Sequence, residues 1–447
     1  MHRTIKTVAV LGLALVLSAT AFSQDKIVLT LDESIRLALL QNPMYLAEKA
    51  KEDQASAVVR QAVAGFFPSL NGQGTDILDK KLFDVLIPPL FPGMSSQRVK
   101  FDFTKTYQLT LNFSVPLYAG GRLVSGYKQA GYNLQSTKEG IRRVRQETVY
   151  NVKQAFYGYL LAREFESVAQ EAVGLAEKHL KTVRSLYDAG MASKFDLLRT
   201  EVQLANLKPQ LIRAKNSLVS AGLGLKTLLG IDLAQPVEVQ GRLGYQEVTA
   251  DVDASVAQAL TARPDLNQLK YQQQMASEMV KVARAAYLPT VAVGGQLNYW
   301  GDQFKFTKDA WESYYSINLV LSFSVFNGFA NAAKVGESKA VLRQIELGQK
   351  GLTDMIKFEV QDSILKLRQA RESLLSQEKN VEEAQEAVRI AELNYSEGLA
   401  TNLDVSSAQV ALSQARTNYS QGLFDYAMAL AELEKATGAG PDEPAVK

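Results

Sequence analysis

The sequence predicts a mainly helical chain with membrane β-strands, built as a tandem repeat. Three observations carry this. The second half repeats the first, short segments alternate apolar and polar residues, and two segments of 66 residues keep a helical pattern without a break.

The repeat comes first, because missing it would misplace everything else. A shift of 221 places Ser34 on Ser255, Ala38 on Ala259, Leu39 on Leu260, Pro43 on Pro264, Val59 on Val280 and Pro68 on Pro289. Beyond that the shift becomes 208, and Gly120, Val152, Ala176, Tyr187, Gly190, Asp196 and Gly230 fall on Gly328, Val360, Ala384, Tyr395, Gly398, Asp404 and Gly438. The change of shift places a 13-residue insertion between Pro68 and Gly120. It contains Ile87-Pro88-Pro89-Leu90-Phe91-Pro92-Gly93, and prolines at this density break helix and strand alike. A long hairpin loop is expected there, with a shorter counterpart near Gly301 to Ala310.

Strands are expected at about 69–75, 105–117, 290–300 and 313–326. Tyr107, Leu109, Leu111, Phe113 and Val115 alternate with Gln108, Thr110, Asn112 and Ser114, and Tyr315 to Val325 repeats the pattern with Val320 as its only break. Period two puts each set on one face. The clearest runs reach the ~9–11 residues a tilted membrane strand needs. Their Ser, Thr, Asn and Gln suit a watery lumen and their tyrosines an aromatic girdle. A soluble sandwich sheet with one wet face would alternate in the same way. Four strands cannot close a barrel, which takes about eight, so membrane strands here require several chains to pool them.

Helices are expected at about 43–67, 120–187 and 193–229, and again at 264–288, 328–395 and 402–437. A 66-residue helix is about 100 Å long at ~1.5 Å per residue, a length that signals coiled-coil packing. Val405, Ala408, Leu412, Ala415, Tyr419, Gly422, Tyr426, Ala429, Leu433 and Ala436 step by three and four, as do Leu197 to Leu228 in the first half. Such a seam supercoils left-handedly. Pro43 and Pro264 suit the first helical position. Helices 43–67 and 193–229, stacked end to end, match the long helix in height, and Pro209 should kink the second of them. Residues 24–230 form the first repeat, 231–251 an inter-repeat linker, 252–438 the second repeat and 439–447 a flexible tail.

Residues 1–23 read as a secretory signal: Arg3 and Lys6, an apolar run from Val8 to Leu17, then small residues, with cleavage after Ala21 or Ser23. Without it the chain keeps 47 basic and 47 acidic residues, a balance that argues against nucleic acid as a partner. The absence of cysteine excludes disulfides, thiolate metal sites, a cysteine nucleophile and a lipid anchor on cysteine. His179, between Lys178 and Leu180, is expected at the solvated surface, leaving little for histidine-based metal or acid–base chemistry. No metal, cofactor or enzymatic activity is expected. A membrane can be entered only by strands, since no mature apolar run has spanning length.

The helix pairs join through Tyr187-Asp188-Ala189-Gly190-Met191-Ala192-Ser193-Lys194-Phe195-Asp196 and Tyr395-Ser396-Glu397-Gly398-Leu399-Ala400-Thr401-Asn402-Leu403-Asp404. Gly190 and Gly398 read as left-handed C-caps, Ser193 and Thr401 as N-caps, and Asp196 and Asp404 as capping-box acids. The same acids could ring the narrow end of a channel and hold cations. The two roles are compatible.

Duplicated in this order, the Leu39–Pro43 and Leu260–Pro264 boundaries, the Val115-Pro116-Leu117-Tyr118-Ala119-Gly120-Gly121 turn and the two Tyr-x-x-Gly tips followed by Asp resemble the TolC family. These are outer-membrane exit ducts, or outer membrane factors. The resemblance covers essentially the whole mature chain. It implies a homotrimer in the outer membrane of a Gram-negative cell, whose twelve strands close one barrel. Twelve helical columns would continue it as a tunnel across the periplasm. It also implies a periplasmic adaptor (membrane fusion) protein and an inner-membrane transporter of RND, ABC or MFS type, in efflux or type I secretion. The family's gate lies at the tips, where Asp196, Tyr395 and Asp404 match its acidic and tyrosine residues and Tyr187 is the repeat partner. Gly190, Met191, Ala192, Ser193, Gly398, Leu399, Ala400 and Thr401 would face the adaptor. The chain departs at Ala400, where some members carry a gate-tying arginine, and at Ser407, where some carry a second aspartate. Lys194 is the candidate substitute. A periplasmic coiled-coil adaptor or scaffold without a pore is the alternative, and the Tyr107 and Tyr315 runs speak against it. A hydrolase would need a clustered site, which the sequence lacks.

Overall fold

The computed structural model describes residues 27–101, 105–305 and 307–439. The signal segment and the tail beyond residue 439 lie outside the described residues. The first half runs β1 (Ile27–Leu29), α1 (Leu31–Gln41), α2 (Pro43–Ala64), β2 (Ser69–Asp76), β3 (Phe83–Ile87), β4 (Gln97–Phe101), β5 (Tyr107–Ala119), α3 (Arg122–Asp188) and α4 (Lys194–Leu229). After β6 (Val237–Val239) the second half runs α5 (Val252–Ala262), α6 (Pro264–Ala285), β7 (Thr290–Gly301), a 3-10 turn (Lys308–Ala310), β8 (Glu312–Ser322), α7 (Ala330–Ser396) and α8 (Asn402–Thr437).

Four strands form one antiparallel sheet in the order β2-β5-β7-β8. The register sets Leu111 beside Leu297 and Leu297 beside Tyr315, and Val115 beside Val293 and Val293 beside Leu319. One face is therefore apolar across the sheet. The other carries Asn112, Gln296 and Ser316 in one row and Thr110 and Asn298 in the next. Thr110 Oγ1 and Gln296 Nε2 both donate to Asn298 Oδ1, at 2.8 and 3.0 Å. β2 and β8 are the edges, and every residue of β8 is exposed.

Some boundaries differ from the sequence reading, each for a physical reason. The alternation predicts a strand to residue 326, but β8 stops at Ser322, which lies opposite the first residue of β7. Beyond it there is no ladder to join. The insertion is more than a loop: β3 and β4 pair across it, Val85 opposite Val99, and the prolines occupy the connection at its end. α4 spans the stretch expected for it, with Pro209 inside the helix on its exposed side.

α1, α5, β1 and β6 build a girdle at mid-height. β1 and β6 pair in parallel. Leu29, Val152, Phe156, Leu160, Leu225, Leu229, Ile356, Val360 and Ile364 form the main core there. The stretch after β6 is tied to the long helices, with Arg163 donating to the Val239 and Gly241 carbonyls and Tyr426 to the Gln246 carbonyl.

At this level each short upper helix meets the end of a lower one. Asn42, the N-cap of α2, donates through Nδ2 to the Leu228 carbonyl at 2.8 Å, and Arg263, the N-cap of α6, donates to the Ala436 carbonyl at 3.4 Å. These pairs are related by the repeat. The closing glycines sit in the joints. Gly230 has φ 71°, and a Cβ there would lie 2.9 Å from the Gln41 carbonyl oxygen. Gly190 has φ 74° but open space around it. Gly190→Ala should therefore cost only the left-handed strain, about 1 kcal/mol. Gly230→Ala should cost clearly more, about 2–4 kcal/mol, because strain and overpacking add. Thermal melts of the two variants, followed by helical circular dichroism, test this, and equal losses would show that the joint is loose.

Candidate functional site

The two helical hairpin tips are built alike. Gly190, at φ 74°, turns the chain so that the Met191 and Ala192 N–H groups donate to the Leu186 carbonyl at 2.7 and 3.2 Å. Gly398, at φ 73°, lets Leu399 and Ala400 donate to the Asn394 carbonyl at 2.8 and 3.2 Å. Both turns satisfy carbonyls that the helix end leaves orphaned. Met191, Phe195 and Leu399 then project as exposed apolar groups.

The next helix starts from a cap. Ser193 Oγ accepts from the Asp196 N–H at 3.0 Å and donates to Asp196 Oδ2 at 2.5 Å. In the second tip Thr401 Oγ1 accepts from the Asp404 N–H at 3.3 Å. Asp404 Oδ2 accepts from the Thr401 hydroxyl at 2.7 Å and the Thr401 N–H at 2.8 Å, which completes a capping box. These bonds, the hydroxyl's first, hold the Asp404 carboxyl below its ordinary pKa. Its contribution to the cap is thus fully present above the unfolded value of about 3.9 and is lost as pH falls through the lower folded value.

The remaining tip residues fall into two groups. Lys194 Nζ lies over the Tyr187 ring, 5.4 Å from its centroid, within its own tip. Tyr395 lies between the hairpins. Burial, and after it the charge of Asp196, raises its hydroxyl pKa. Its ring meets His179 edge-on at 5.2 Å.

His179 corrects the sequence reading. It is 5 % exposed and not a solvated surface residue. Its Nε2 lies 2.7 Å from Asn402 Oδ1. Asn402 Nδ2 donates to the Asp196 carbonyl and to Thr200 Oγ1, both at 3.1 Å. Neither Asn402 nor Thr200 was singled out from the sequence for this role. The reason is that α3 packs on both α4 and α8. Val173, Ala176 and Leu180 pack against Leu204, Leu207 and Leu211 of α4, while His179 faces Asn402 of α8, so a single-seam reading assigns His179 to solvent. The buried step from Ala176 through His179 to Val183 was the available signal.

The family model for outer membrane efflux proteins matches residues 34–231 and 256–439. The chain belongs to that family. The break between the matched segments coincides with the stretch that contains β6. Among the family's curated members, TolC of Salmonella enteritidis is 28% identical over 193 residues, which span 42% of this chain and 38% of that protein. The chain thus aligns with well under half the length of that relative. The pyoverdine export protein OpmQ of Pseudomonas aeruginosa is 25% identical over 392 residues, or 84% of this chain and 78% of OpmQ. The crystal structure of VceC from Vibrio cholerae superposes with a TM-score of 0.73 at 17% identity, covering 92% of this chain and 96% of that one. The fold is the tandem-repeat, TolC-like fold of these outer-membrane channels.

Proposed function

We propose that the chain is the outer-membrane exit duct of a tripartite efflux or type I secretion system. It passes substrate from an inner-membrane transporter, of RND, ABC or MFS type, through a periplasmic adaptor and out across the outer membrane. The observation that carries this is the sheet: one face mainly apolar, the other with a hydrogen-bonded polar cluster, and both edge strands without a further strand partner among the described residues. Lipid does not tolerate open edges, so copies must join them. Three chains of four strands give a twelve-stranded barrel, above the minimum for closure. The long helices, 67 residues each and about 100 Å tall, continue its wall into the periplasm. The exposed tip residues from Gly190 to Ser193 and from Gly398 to Thr401 are the adaptor contact, and Asp196, Asp404, Tyr187, Tyr395 and Lys194 form the gate. The names of OpmQ and of CusC, a cation efflux system protein, support export as the task.

Single-channel recording in a planar bilayer tests the duct. Discrete ohmic conductance is expected, and its absence from correctly assembled protein would overturn the reading. The charge of the gate is testable on the same preparation. Asp196→Asn with Asp404→Asn keeps shape and some capping but removes six carboxylates per trimer. Cation selectivity and block by multivalent cations should both fall. If reversal potentials stay unchanged while the tips lose stability, the aspartates are caps alone.

A further inference from the structure

Two aromatic rings stand on the polar face of the sheet, where the other side chains are amides, hydroxyls or smaller groups. The row Gln73, Thr110 and Asn298 runs across the strands to Tyr314, and the row Thr75 and Gln108 runs to Trp300 and Glu312. Both rows lie at the end of the strands remote from α3 and α7. We propose that Trp300 and Tyr314 form a subsite for organic cations at the outer end of the duct, taking compounds whose charge is spread over an aromatic ring or a quaternary nitrogen. This rests on the duct reading, in which the polar face lines the lumen. Three chains then set three such sites around the exit.

The geometry suits a ligand better than a packing role. The ring centroids are 5.1 Å apart and the planes are inclined by 58°, so the rings are tilted rather than stacked. Trp300 Nε1 donates to Glu312 Oε2 at 2.9 Å. That bond lies at the indole edge, so it fixes the ring without covering its faces. Tyr314 is 47 % exposed. Across the ladder the rings meet Gln108, Glu312 and Asn298, which give them no apolar surface to bury against. An interfacial girdle belongs on the other face, where Tyr107 meets Phe304 and Phe304 meets Trp311. Asn298, opposite Tyr314, adds a second sign. It is 7 % exposed, its Oδ1 accepts from Thr110 and Gln296, and its buried Nδ2 has no hydrogen-bond partner. An orphaned donor of this kind costs free energy until another group meets it.

The chemistry of the rings sets the ligand class. Lys105 lies 3.1 Å from Asp302 and 3.7 Å from Glu312, and Lys80 lies 3.7 Å from Asp302. Two lysines and two acids balance, so net charge draws ions only weakly. The negative faces of indole and phenol remain, and they attract cations. A small alkali ion holds its water and gains little there. An organic cation sheds water easily and gains both ring contact and charge attraction.

The chain has two tryptophans, so Trp311→Phe leaves Trp300 as the sole indole and Trp300→Phe leaves Trp311. The probe is N-methylpyridinium, a planar aromatic cation that quenches indole fluorescence on contact, added to the full-length trimer in detergent. Quenching of Trp300 should saturate, and quenching of Trp311 should rise linearly. In the Trp311→Phe background, Tyr314→Ser should raise the half-saturating concentration at least about five-fold, and Tyr314→Phe, which keeps a ring, should stay within about two-fold. Raising salt from about 0.1 to about 0.5 M should change half-saturation less than about three-fold, whereas accumulation by charge alone would be screened away. Linear quenching of Trp300 in trimers that conduct, or no effect of Tyr314→Ser, overturns the subsite and leaves the duct reading standing. Assembled trimers without conductance would instead sink the duct reading, and with it the placement of the site at an exit.

Discussion

Replacing Ala415 with glutamate should collapse the lower helical wall. Ala415 is 2 % exposed and packs with Leu412 of its own helix and with Ala384 and Val388 of α7, while Leu175 of α3 closes the cluster. A glutamate has no room here and no partner. Overpacking costs about 1–3 kcal/mol, and an uncompensated buried charge about 3–5 kcal/mol. A loss of that size rivals the whole stability of a typical domain, about 5–15 kcal/mol. Ala387→Glu on the exposed side of α7 is the control and should change stability by less than about 0.5 kcal/mol. Helical signal and the yield of assembled protein are the measurements. Similar behaviour of the two variants would mean that the α7–α8 seam runs along another face.

That seam shows what the sequence made legible. The steps of three and four from Val405 to Ala436 name the residues that α8 buries or half-buries, because α8 packs on α7 and α3 at once. The same pattern in α4 is less complete in the structure. Leu197, Thr200 and Leu204 are buried, but Leu207, Leu211 and Leu218 are only half-buried, because a single chain offers α4 little beyond α3. The strand faces were legible for a simple reason: alternation depends on the pleat alone. The mid-height girdle was not. Strands of three residues, such as β1 and β6, have no period to read, and they exist because the ends of longer elements bring them together. β3 and β4 were hidden by the prolines between them. At the tips, the glycines and caps were legible because local geometry demands those residue types. The buried contacts of Asn402 with Thr200 and His179 were not, since they join residues 202 and 223 positions apart and none of the three is unusual alone.

α4 also carries a second apolar line, and charging it should prevent assembly without unfolding the chain. Leu198, Val202, Ile212, Val219 and Leu223 are all exposed, and with Ala205, Pro209 and Asn216 they alternate in steps of four and three. This is a coiled-coil seam whose partner helix is absent from the chain. It lies on the opposite flank from α7, whose half level with α4 has its own exposed Leu365, Leu375, Ile390 and Leu393. In a ring of copies these two flanks meet. Ile212→Glu with Val219→Glu would then bury two unpaired charges at each contact between copies. At about 3–5 kcal/mol per uncompensated charge, association should weaken by at least about a thousand-fold. The α3–α4 packing, which uses the other line through Leu204, should survive. The expected result is a monomer in detergent, by mass, with near-normal helical signal. A stable trimer of the double variant would show that α4 turns this line away from its neighbour, and the wall would have to close through other helices.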